Sequence, residues 1–315
     1  MSIVISGTGL FTPPERISND ELVACFNHYV DKFNSDNAQA IENNQVTALS
    51  HSSSAFIEKA SGIKSRYVMS KSDILNVDIM RPSFTERDND SLSMQAEIGV
   101  AAAKQAMAAA NKTAADIDLV IVACAYTQRS YPAMAIEIQQ ALGCAGWGFD
   151  MLVACSAATF GIINAANAVR SGSAKTVLVI NPEILSPQIN YRDRDSHFIF
   201  GDVATAAIIE DESTATSEHQ FKIIAEQPIT QFSNNIRSNI GYMNQCSPET
   251  AFNVDKYFIQ QGRKVFKEVL PMVANLIASQ MEKINLAPTD IKRLYLHQAN
   301  INMNNFIAKK VLGRD

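Results

Sequence analysis

The 315-residue sequence predicts a layered α/β fold in which strands and helices alternate along the chain. Short apolar runs of strand length alternate with longer segments of helical spacing, which is typical of sheets covered by helices. Apolar residues make up 47% of the chain, which is enough for a large buried core. One helix–turn–strand pattern also occurs twice, and this repetition indicates two related halves.

The individual elements follow from the apolar pattern. The N-terminal segment predicts a short strand, a glycine turn at Gly7-Thr8-Gly9 and then a loop. Two polar stretches, around 26–54 and 70–90, interrupt the alternation and are interpreted as a cap or lobe over the core. The predicted strands are 3–6, 119–123, 151–154, 176–180, 204–210, 222–226 and 294–296. The predicted helices are 91–110, 133–142, 156–171, 256–284 and 303–311.

The repeated pattern predicts a duplication. Asp116-Ile117 precedes the apolar run LVIVACA, Asp290-Ile291 precedes LYLHQA, and both runs lead into helices that end in Leu-Gly. These anchors predict an N-terminal half, 1–212, and a C-terminal half, 213–315, although chance similarity of element order is an alternative. In the first copy a strand and Cys155 follow the Leu-Gly, and the second copy stops before that point. We therefore expect the C-terminal half to be incomplete.

Charge and composition argue against several classes of protein. The formal net charge is −5 at pH 7, whereas nucleic-acid-binding proteins usually carry an excess of Lys and Arg. The N-terminus lacks the basic start and apolar stretch of a secretory signal. The longest apolar run, 119–125, is too short to span a bilayer. We therefore expect a cytoplasmic protein that binds neither nucleic acid nor membrane.

The cysteines and histidines give no pattern typical of a metal site. The five cysteines are widely spaced and contain no C-x-x-C pair, which also argues against a disulfide framework. Gly7-Thr8-Gly9 has the first two glycines of a dinucleotide fingerprint, but Thr12 occupies the third position. Neither a metal nor a nicotinamide cofactor is expected. The cysteines are Cys25, Cys124, Cys144, Cys155 and Cys246, and the histidines without ligand spacing are His28, His51, His197 and His219.

Cys155 is the strongest candidate nucleophile. The residues before it predict a buried strand, and Ser156 after it opens an apolar helix. A thiol at a helix N-terminus meets unpaired N–H groups and the positive end of the helix dipole, which favour the thiolate. Such a thiolate can attack a thioester carbonyl in covalent acyl transfer. From the local sequence alone, a plain core cysteine is an equally weighted alternative.

His297 is the second candidate. It follows the strand-like residues 293–296 and precedes a polar turn that opens a helix. A histidine in this position can act as a base or a hydrogen-bond donor near neutral pH. Taken alone, His297 fits a structural histidine better. When it is considered together with Cys155, the catalytic interpretation is favoured. Cys124 lies inside an apolar strand with no helix after it, and is assigned to packing.

Three motifs in order, VACSAATFG, HFIFGDVATAA and LHQANINMN, resemble beta-ketoacyl-acyl-carrier-protein synthase III, the initiating condensing enzyme of bacterial-type fatty acid synthesis. The resemblance extends over nearly the whole length, from ISGTGLFTPP through SGIKSRYV to the last residues. It implies a thiolase-like fold of two duplicated halves in a five-layer αβαβα arrangement, with the C-terminal part missing. It also implies a homodimer.

The same resemblance implies a decarboxylative Claisen condensation. Cys155 would accept an acyl primer from acyl-CoA, and its N–H would form half of the oxyanion hole. His297 would help malonyl-acyl-carrier-protein to lose carbon dioxide and would support the attacking carbanion. Coenzyme A enters only as part of the acyl-CoA substrate, and no separate cofactor is implied.

Further positions are implied to bind substrate. Phe56 stands where the family often has a tryptophan against the coenzyme A adenine, and Arg194 matches the arginine on the other side of that ring. Asn302 replaces a usual basic residue, and Ala60 replaces a frequent arginine. These losses imply a coenzyme A entrance unlike that of the acetyl-primed enzymes. Tyr131 matches the residue that caps the acyl pocket of the partner subunit.

Two departures from the family pattern leave alternatives open. The third catalytic residue of the family, an asparagine, would lie beyond Asp315, so a truncated chain is expected. The two polar stretches resemble the medium-chain-primed, beta-ketodecanoyl branch. One alternative is another acyl-CoA condensing enzyme of the thiolase superfamily, although no glutamate base stands out near Tyr131 or Cys155. The other is an inactive subunit that binds acyl thioesters.

Overall fold

The computed structural model describes residues 2–251 and 253–313, which form two compact units. The first unit comprises 2–14, Thr85–Ile184 and Asp202–Pro228, and the second comprises Glu15–Phe84, Leu185–Gly201 and 229–313. The strands are β1 (Ile3–Phe11), β2 (Glu15–Ser18), β3 (Ser65–Val68), β4 (Leu119–Cys124), β5 (Trp147–Leu152), β6 (Thr176–Ile184), β7 (Asp202–Asp211), β8 (Phe221–Ile223), β9 (Ile236–Arg237) and β10 (Ile259–Gln260). The α-helices are α1 (Asn19–Asp36), α2 (Ala38–Glu42), α3 (Ser54–Ser61), α4 (Met94–Ala109), α5 (Met134–Leu142), α6 (Ala157–Arg170), α7 (Gly262–Lys283) and α8 (Ile301–Leu312).

The first unit is built on a six-stranded mixed sheet with the order β5-β4-β6-β7-β1-β8. β4 is parallel to both β5 and β6, whereas β7 is antiparallel to β6 and to β1. All six residues of β4 are buried, because the strand has a neighbour on each side and helices over both faces. A continuous apolar run is typical of such a central strand.

Helices α4 and α6 cover opposite faces of this sheet. Gly161 of α6 lies against Val179, whereas Gly99 of α4 lies against Ile180. Because successive side chains of a strand point to opposite faces, the two helices lie on opposite sides of β6. The sheet is therefore a buried middle layer, and the parallel strands β4, β5 and β6 all end at one edge of it.

The two N-terminal glycines do not form a turn as predicted. β1 runs through Gly7 and Gly9 as a continuous strand, and α4 crosses it at very short distance. A Cβ at Gly7 would lie 2.3 Å from the Ala106 carbonyl oxygen, and one at Gly9 would lie 2.0 Å from that of Ala102. The glycine pair is explained by close packing of helix on strand rather than by a nucleotide.

The N-terminal part of the second unit is built around α1. Ser18 caps the helix: its hydroxyl accepts from the Glu21 N–H, and the Glu21 carboxylate accepts from the Ser18 N–H over 2.8 Å. Leu22, Phe26 and Val30 repeat along one face of α1 and are buried. They pack with apolar residues from the predicted cap stretches and beyond, including Ile57, Ile74, Ile189, Tyr191 and Phe198.

The C-terminal part of the second unit pairs α7 with α8. Leu270, Ala274 and Met281 of α7 pack against Ile307 and Val311 of α8. Gly313 follows α8 in a left-handed conformation and caps the helix, which glycine can do without a side-chain clash. None of the helices in the described ranges is long and apolar enough to cross a bilayer.

Several predicted elements need correction. The cap stretch 26–54 contains most of α1, because polar residues between its apolar positions obscure the helical spacing. The predicted strand 151–154 ends at Leu152 and is an edge strand with partly exposed residues, not a buried one, because only β4 pairs with it. Residues 294–296 form no strand, and no partner strand adjoins them among the described residues. The compact units do not test the predicted halves 1–212 and 213–315, which stay a prediction.

Candidate active site

Cys155 lies on a sharp turn between β5 and α6. The Val153 N–H after β5 donates to the Cys124 carbonyl over 3.2 Å, and α6 begins two residues beyond Cys155. Ala154 has a φ of +45°, a left-handed conformation that residues with a Cβ rarely adopt. Such backbone strain costs about 1–3 kcal/mol and is concentrated at functional sites. The turn leaves Cys155 exposed, just before the helix as the sequence predicts.

The predicted lowering of the Cys155 pKa is wrong. Desolvation by the surrounding protein raises the pKa of the thiol, and the negative charge of Glu183 raises it further. These effects outweigh the backbone hydrogen bond at Cys155, which lowers the pKa, so the thiol of the free protein is mainly protonated at neutral pH. The thiolate must therefore form as the residue reacts.

The other cysteines differ from Cys155 in exposure or in setting. Cys124 is fully buried, as predicted for a packing residue, and its Sγ lies 3.1 Å from the Tyr126 carbonyl oxygen. Desolvation strongly raises the pKa of this thiol. Cys246 is also exposed, but it lies in a short turn of the second unit with no α-helix beginning after it.

Glu183 is a functional candidate that the sequence analysis missed, since no glutamate was expected near Cys155. Its Oε1 accepts from the Ala125 N–H over 2.9 Å, and its buried Oε2 has no hydrogen-bond partner among the described residues. Burial raises the pKa of this carboxyl to about 7, against the opposing effect of the Ala125 N–H. The available signal was one carboxylate in the apolar run TVLVINPEIL, where a charge is costly to bury.

His297 lies in the turn that precedes α8. The Asn300 side chain caps this helix by accepting from the N–H groups of Asn302 and Met303. Asn304 Nδ2 donates to the His297 carbonyl over 3.1 Å and fixes the backbone of the turn. The residue is exposed, yet desolvation lowers the pKa of its imidazole. The neutral ring is therefore favoured at neutral pH, and it can donate a hydrogen bond.

Phe56 and Arg194, predicted on opposite sides of an adenine, are in direct contact. The Arg194 guanidinium carbon lies 4.1 Å from the centre of the Phe56 ring, and Arg194 Nε donates to the His51 carbonyl over 2.8 Å. Beside them, His197 Nδ1 donates to the carbonyls of Asp193 and Arg194 over 3.0 Å each. Burial lowers the pKa of His197 to about 4, so a neutral histidine holds the Arg194 backbone.

Asn302 joins two helices of the second unit. Its Nδ2 donates to the Lys59 carbonyl over 3.1 Å, and Asn300 Nδ2 donates to the Ala60 carbonyl over 2.7 Å. The start of α8 is thereby fixed to the last turn of α3. In the first unit, Tyr131 lies before α5 with 82% of its surface exposed.

The predicted residues divide between the units. Cys155 and Tyr131 belong to the first, and the rest belong to the second. The structure brings Phe56 and Arg194 together and places Glu183 near Cys155. The second-unit residues are His297, Phe56, Arg194 and Asn302.

Comparison with known proteins identifies relatives along most of the chain. The 3-Oxoacyl-[acyl-carrier-protein (ACP)] synthase III family matches residues 149–227, which include Cys155, Glu183 and Arg194. Beta-ketodecanoyl-[acyl-carrier-protein] synthase of Pseudomonas aeruginosa is 52% identical over 290 residues, which are 92% of this chain and 83% of that protein. Beta-ketoacyl-[acyl-carrier-protein] synthase III of Agrobacterium fabrum is 30% identical over 87% of this chain and 77% of its own.

The fold agrees with these relatives. The crystal structure of 3-oxoacyl-[acyl-carrier-protein] synthase III from Aquifex aeolicus superimposes with a TM-score of 0.74 at 24% identity, covering 100% of this chain and 82% of that one. The predicted thiolase-like α/β fold is thereby confirmed, as is the resemblance read from the three motifs. The chain belongs to the beta-ketoacyl-[acyl-carrier-protein] synthase III family of condensing acyltransferases.

Proposed function

We propose that the protein is a cytoplasmic acyltransferase that condenses an acyl-CoA primer with malonyl-acyl-carrier-protein, giving a beta-ketoacyl-acyl-carrier-protein in fatty acid biosynthesis. The observation that carries this proposal is the exposed Cys155 on a strained turn directly before α6. The names of the relatives, one of which is 52% identical to this chain, support the same reaction.

The proposed reaction has two steps. In loading, Cys155 Sγ attacks the primer carbonyl, coenzyme A leaves, and the Cys155 N–H stabilises the developing oxyanion. In condensation, the malonyl thioester loses carbon dioxide, and the resulting carbanion attacks the acyl group on Cys155. A neutral His297, favoured by its lowered pKa, donates a hydrogen bond to the enolate oxygen formed in this step.

We propose a primer of eight carbons. The relative from Pseudomonas aeruginosa is named for a beta-ketodecanoyl product, and a malonyl unit adds two carbons after it loses carbon dioxide. Its ten-carbon product therefore requires an eight-carbon primer. Identity of 52% over 92% of this chain supports the same primer length here.

We also propose that Phe56 and Arg194 hold the coenzyme A adenine. Because the guanidinium lies directly over the ring, the adenine must displace Arg194 or stack on its outer face. Arginine and phenylalanine both bind aromatic rings through their flat faces. Asn302 is assigned to the same entrance, although its amide is engaged with α3. Tyr131 is assigned to the acyl pocket of the partner subunit.

Intact-mass spectrometry after incubation with acyl-CoAs of increasing length tests the loading step. We expect octanoyl-CoA to add one acyl group, and we expect no addition in Cys155→Ser. Cys246→Ser is the matched control, because it removes the other exposed thiol. His297→Asn should still load but should lose at least about 100-fold in condensation with malonyl-acyl-carrier-protein. Loading of Cys155→Ser at the original rate, or condensation without any malonyl donor, would contradict the proposal.

We further propose a homodimer formed through β5. This strand is an edge of the six-stranded sheet, and no strand covers its outer side in the part of the chain that the structure describes. Trp147 is 47% exposed on it and stacks on Phe149 with ring centres 5.8 Å apart. An exposed apolar edge favours pairing with another strand, and two copies related by a twofold axis can pair their β5 strands antiparallel.

Light scattering with edge variants tests the dimer. We expect twice the mass of one chain for the unaltered protein and a shift toward one chain for Trp147→Lys. Phe221→Lys on β8 is the matched control, because β8 is the opposite edge and Phe221 is also exposed. A dimer that survives Trp147→Lys but dissociates in Phe221→Lys would place the interface at β8 and contradict the proposal.

A further inference from the structure

Glu183 lies at the same edge of the sheet as Cys155. β4 pairs in parallel with β5 and with β6, so the carboxyl ends of the three strands meet there. The register pairs Val122 with Ile180, which sets Glu183 level with Ala125. The hydrogen bond from the Ala125 N–H to Glu183 Oε1 agrees with this placement. The carboxyl is therefore fixed at the edge from which the Cys155 turn also leaves.

One oxygen of Glu183 is not explained by packing. Oε1 holds the Ala125 N–H, a role that the amide oxygen of a glutamine would fill equally well. Oε2 is buried and has no hydrogen-bond partner in the described ranges. A buried polar atom without a partner is costly, and such atoms are retained where they have a role in chemistry. Because burial raises the pKa of this carboxyl to about 7, it can take up and release a proton near neutral pH.

The carboxyl and the thiol influence each other. The charge of Glu183 raises the pKa of Cys155, and an interaction between two titrating groups is mutual. The neighbouring buried groups Cys124 and Tyr126 have raised pKa values and remain protonated at neutral pH, with Asp150 and Asp202 adding negative charge near them. The site therefore readily carries one negative charge but resists two.

We propose that Glu183 accepts the thiol proton of Cys155 while the primer is loaded. This inference rests on the proposed function. As the bond from Sγ to the primer carbonyl carbon forms, the thiol proton passes to Oε2. As the bond from that carbon to the coenzyme A sulfur breaks, Oε2 returns the proton to the departing sulfur. One S–H is lost at Cys155 and one is gained on coenzyme A, so no other reactant is required.

Two reactions of Cys155 in Glu183→Gln test the proposal. In single-turnover loading with octanoyl-CoA at a pH of about 8, we expect the variant to be slower by at least about tenfold. In alkylation by iodoacetamide, which needs only the thiolate, we expect no slowing, because the loss of the Glu183 charge favours the thiolate. Loading by the unaltered protein should also rise with an ionisation near pH 7 that the variant lacks.

Glu226→Gln is the matched control, since Glu226 is a partly buried carboxylate of the same unit that pairs with Arg170. Unchanged or faster loading of Glu183→Gln overturns the proposal, and so does equal slowing of both reactions, which would indicate a packing role. If the variant does not fold, the pH dependence of loading by the unaltered protein tests the proposal instead. A loading rate that shows no ionisation near pH 7 also overturns the proposal. Failure of the unaltered protein to load at all would instead contradict the proposed function.

Discussion

The segments that follow Asp116 and Asp290 have similar sequence patterns but different structures. In both, the aspartate ends a short turn and accepts from a backbone N–H, that of Thr113 over 2.7 Å and that of Ala287 over 3.0 Å. After the first turn comes β4, which is fully buried. After the second, residues 291–296 form no strand, and Tyr295 is 86% exposed.

The difference shows what an apolar run can and cannot specify. β4 forms because β5 and β6 supply hydrogen bonds on both sides and helices cover its faces. No neighbouring strand lies beside residues 291–296 in the described part of the chain. Turn chemistry is local and therefore repeats faithfully, whereas a strand depends on residues distant in sequence.

A pair of substitutions sharpens this comparison with the largest expected effect. Ile121→Ala removes a fully buried side chain from β4 and should lower the free energy of unfolding of the first unit by about 4 kcal/mol. Leu296→Ala, at the corresponding run of the second unit, should cost less than about 2 kcal/mol because Leu296 is only partly buried. Urea denaturation, followed in each unit by hydrogen exchange, measures the change in the free energy of unfolding for both variants. Equal costs would show that the two segments are packed alike.

The two units should also differ in their response to acid. His197 is fully buried in the second unit, and its pKa is lowered to about 4. The stabilisation that its neutral form contributes is therefore fully present at pH values above the ordinary pKa of 6.5. Stability is lost as the pH falls from 6.5 toward 4, and about 2 kcal/mol should be lost by a pH of about 5. Glu183 in the first unit has a raised pKa, so its contribution changes in the opposite direction, falling as the pH rises from 4.5 through 7.

Hydrogen exchange at pH values of about 7 and 5 checks this prediction. Peptides from α1 should lose protection in acid, because Phe26 of that helix stacks on His197 with ring centres 4.6 Å apart. Peptides from β4 should not lose protection. The variant His197→Gln should remove the acid sensitivity of α1, even if it lowers stability at neutral pH. Equal loss of protection in both units would contradict the assignment to His197.

Much of the first unit could be predicted from the sequence, because its central strand β4 is a continuous apolar run and its helices keep clear spacing. Cys155 could be placed before a helix for the same reason. The helix α1 was missed although Leu22, Phe26 and Val30 are spaced four apart, since polar residues dominate between them. Glu183 was missed because its importance comes from Ala125 and Cys155, which are near it only in the folded chain. The predicted pKa of Cys155 was wrong because the sequence shows that the residue precedes a helix, but does not show that the folded protein desolvates its thiol.

The glycine pair of β1 sets the thickness of one layer of the first unit. Carbonyl oxygens of α4 lie where side chains at Gly7 and Gly9 would begin, so backbone rests on backbone at the minimum separation. Any larger residue there must displace the backbone of α4 or of β1 locally. Gly99 of the same helix lies against Ile180 of β6, the strand that carries Glu183 near its end. A single methyl group added near the start of the chain would thus disturb a helix that also packs on a strand more than a hundred positions later.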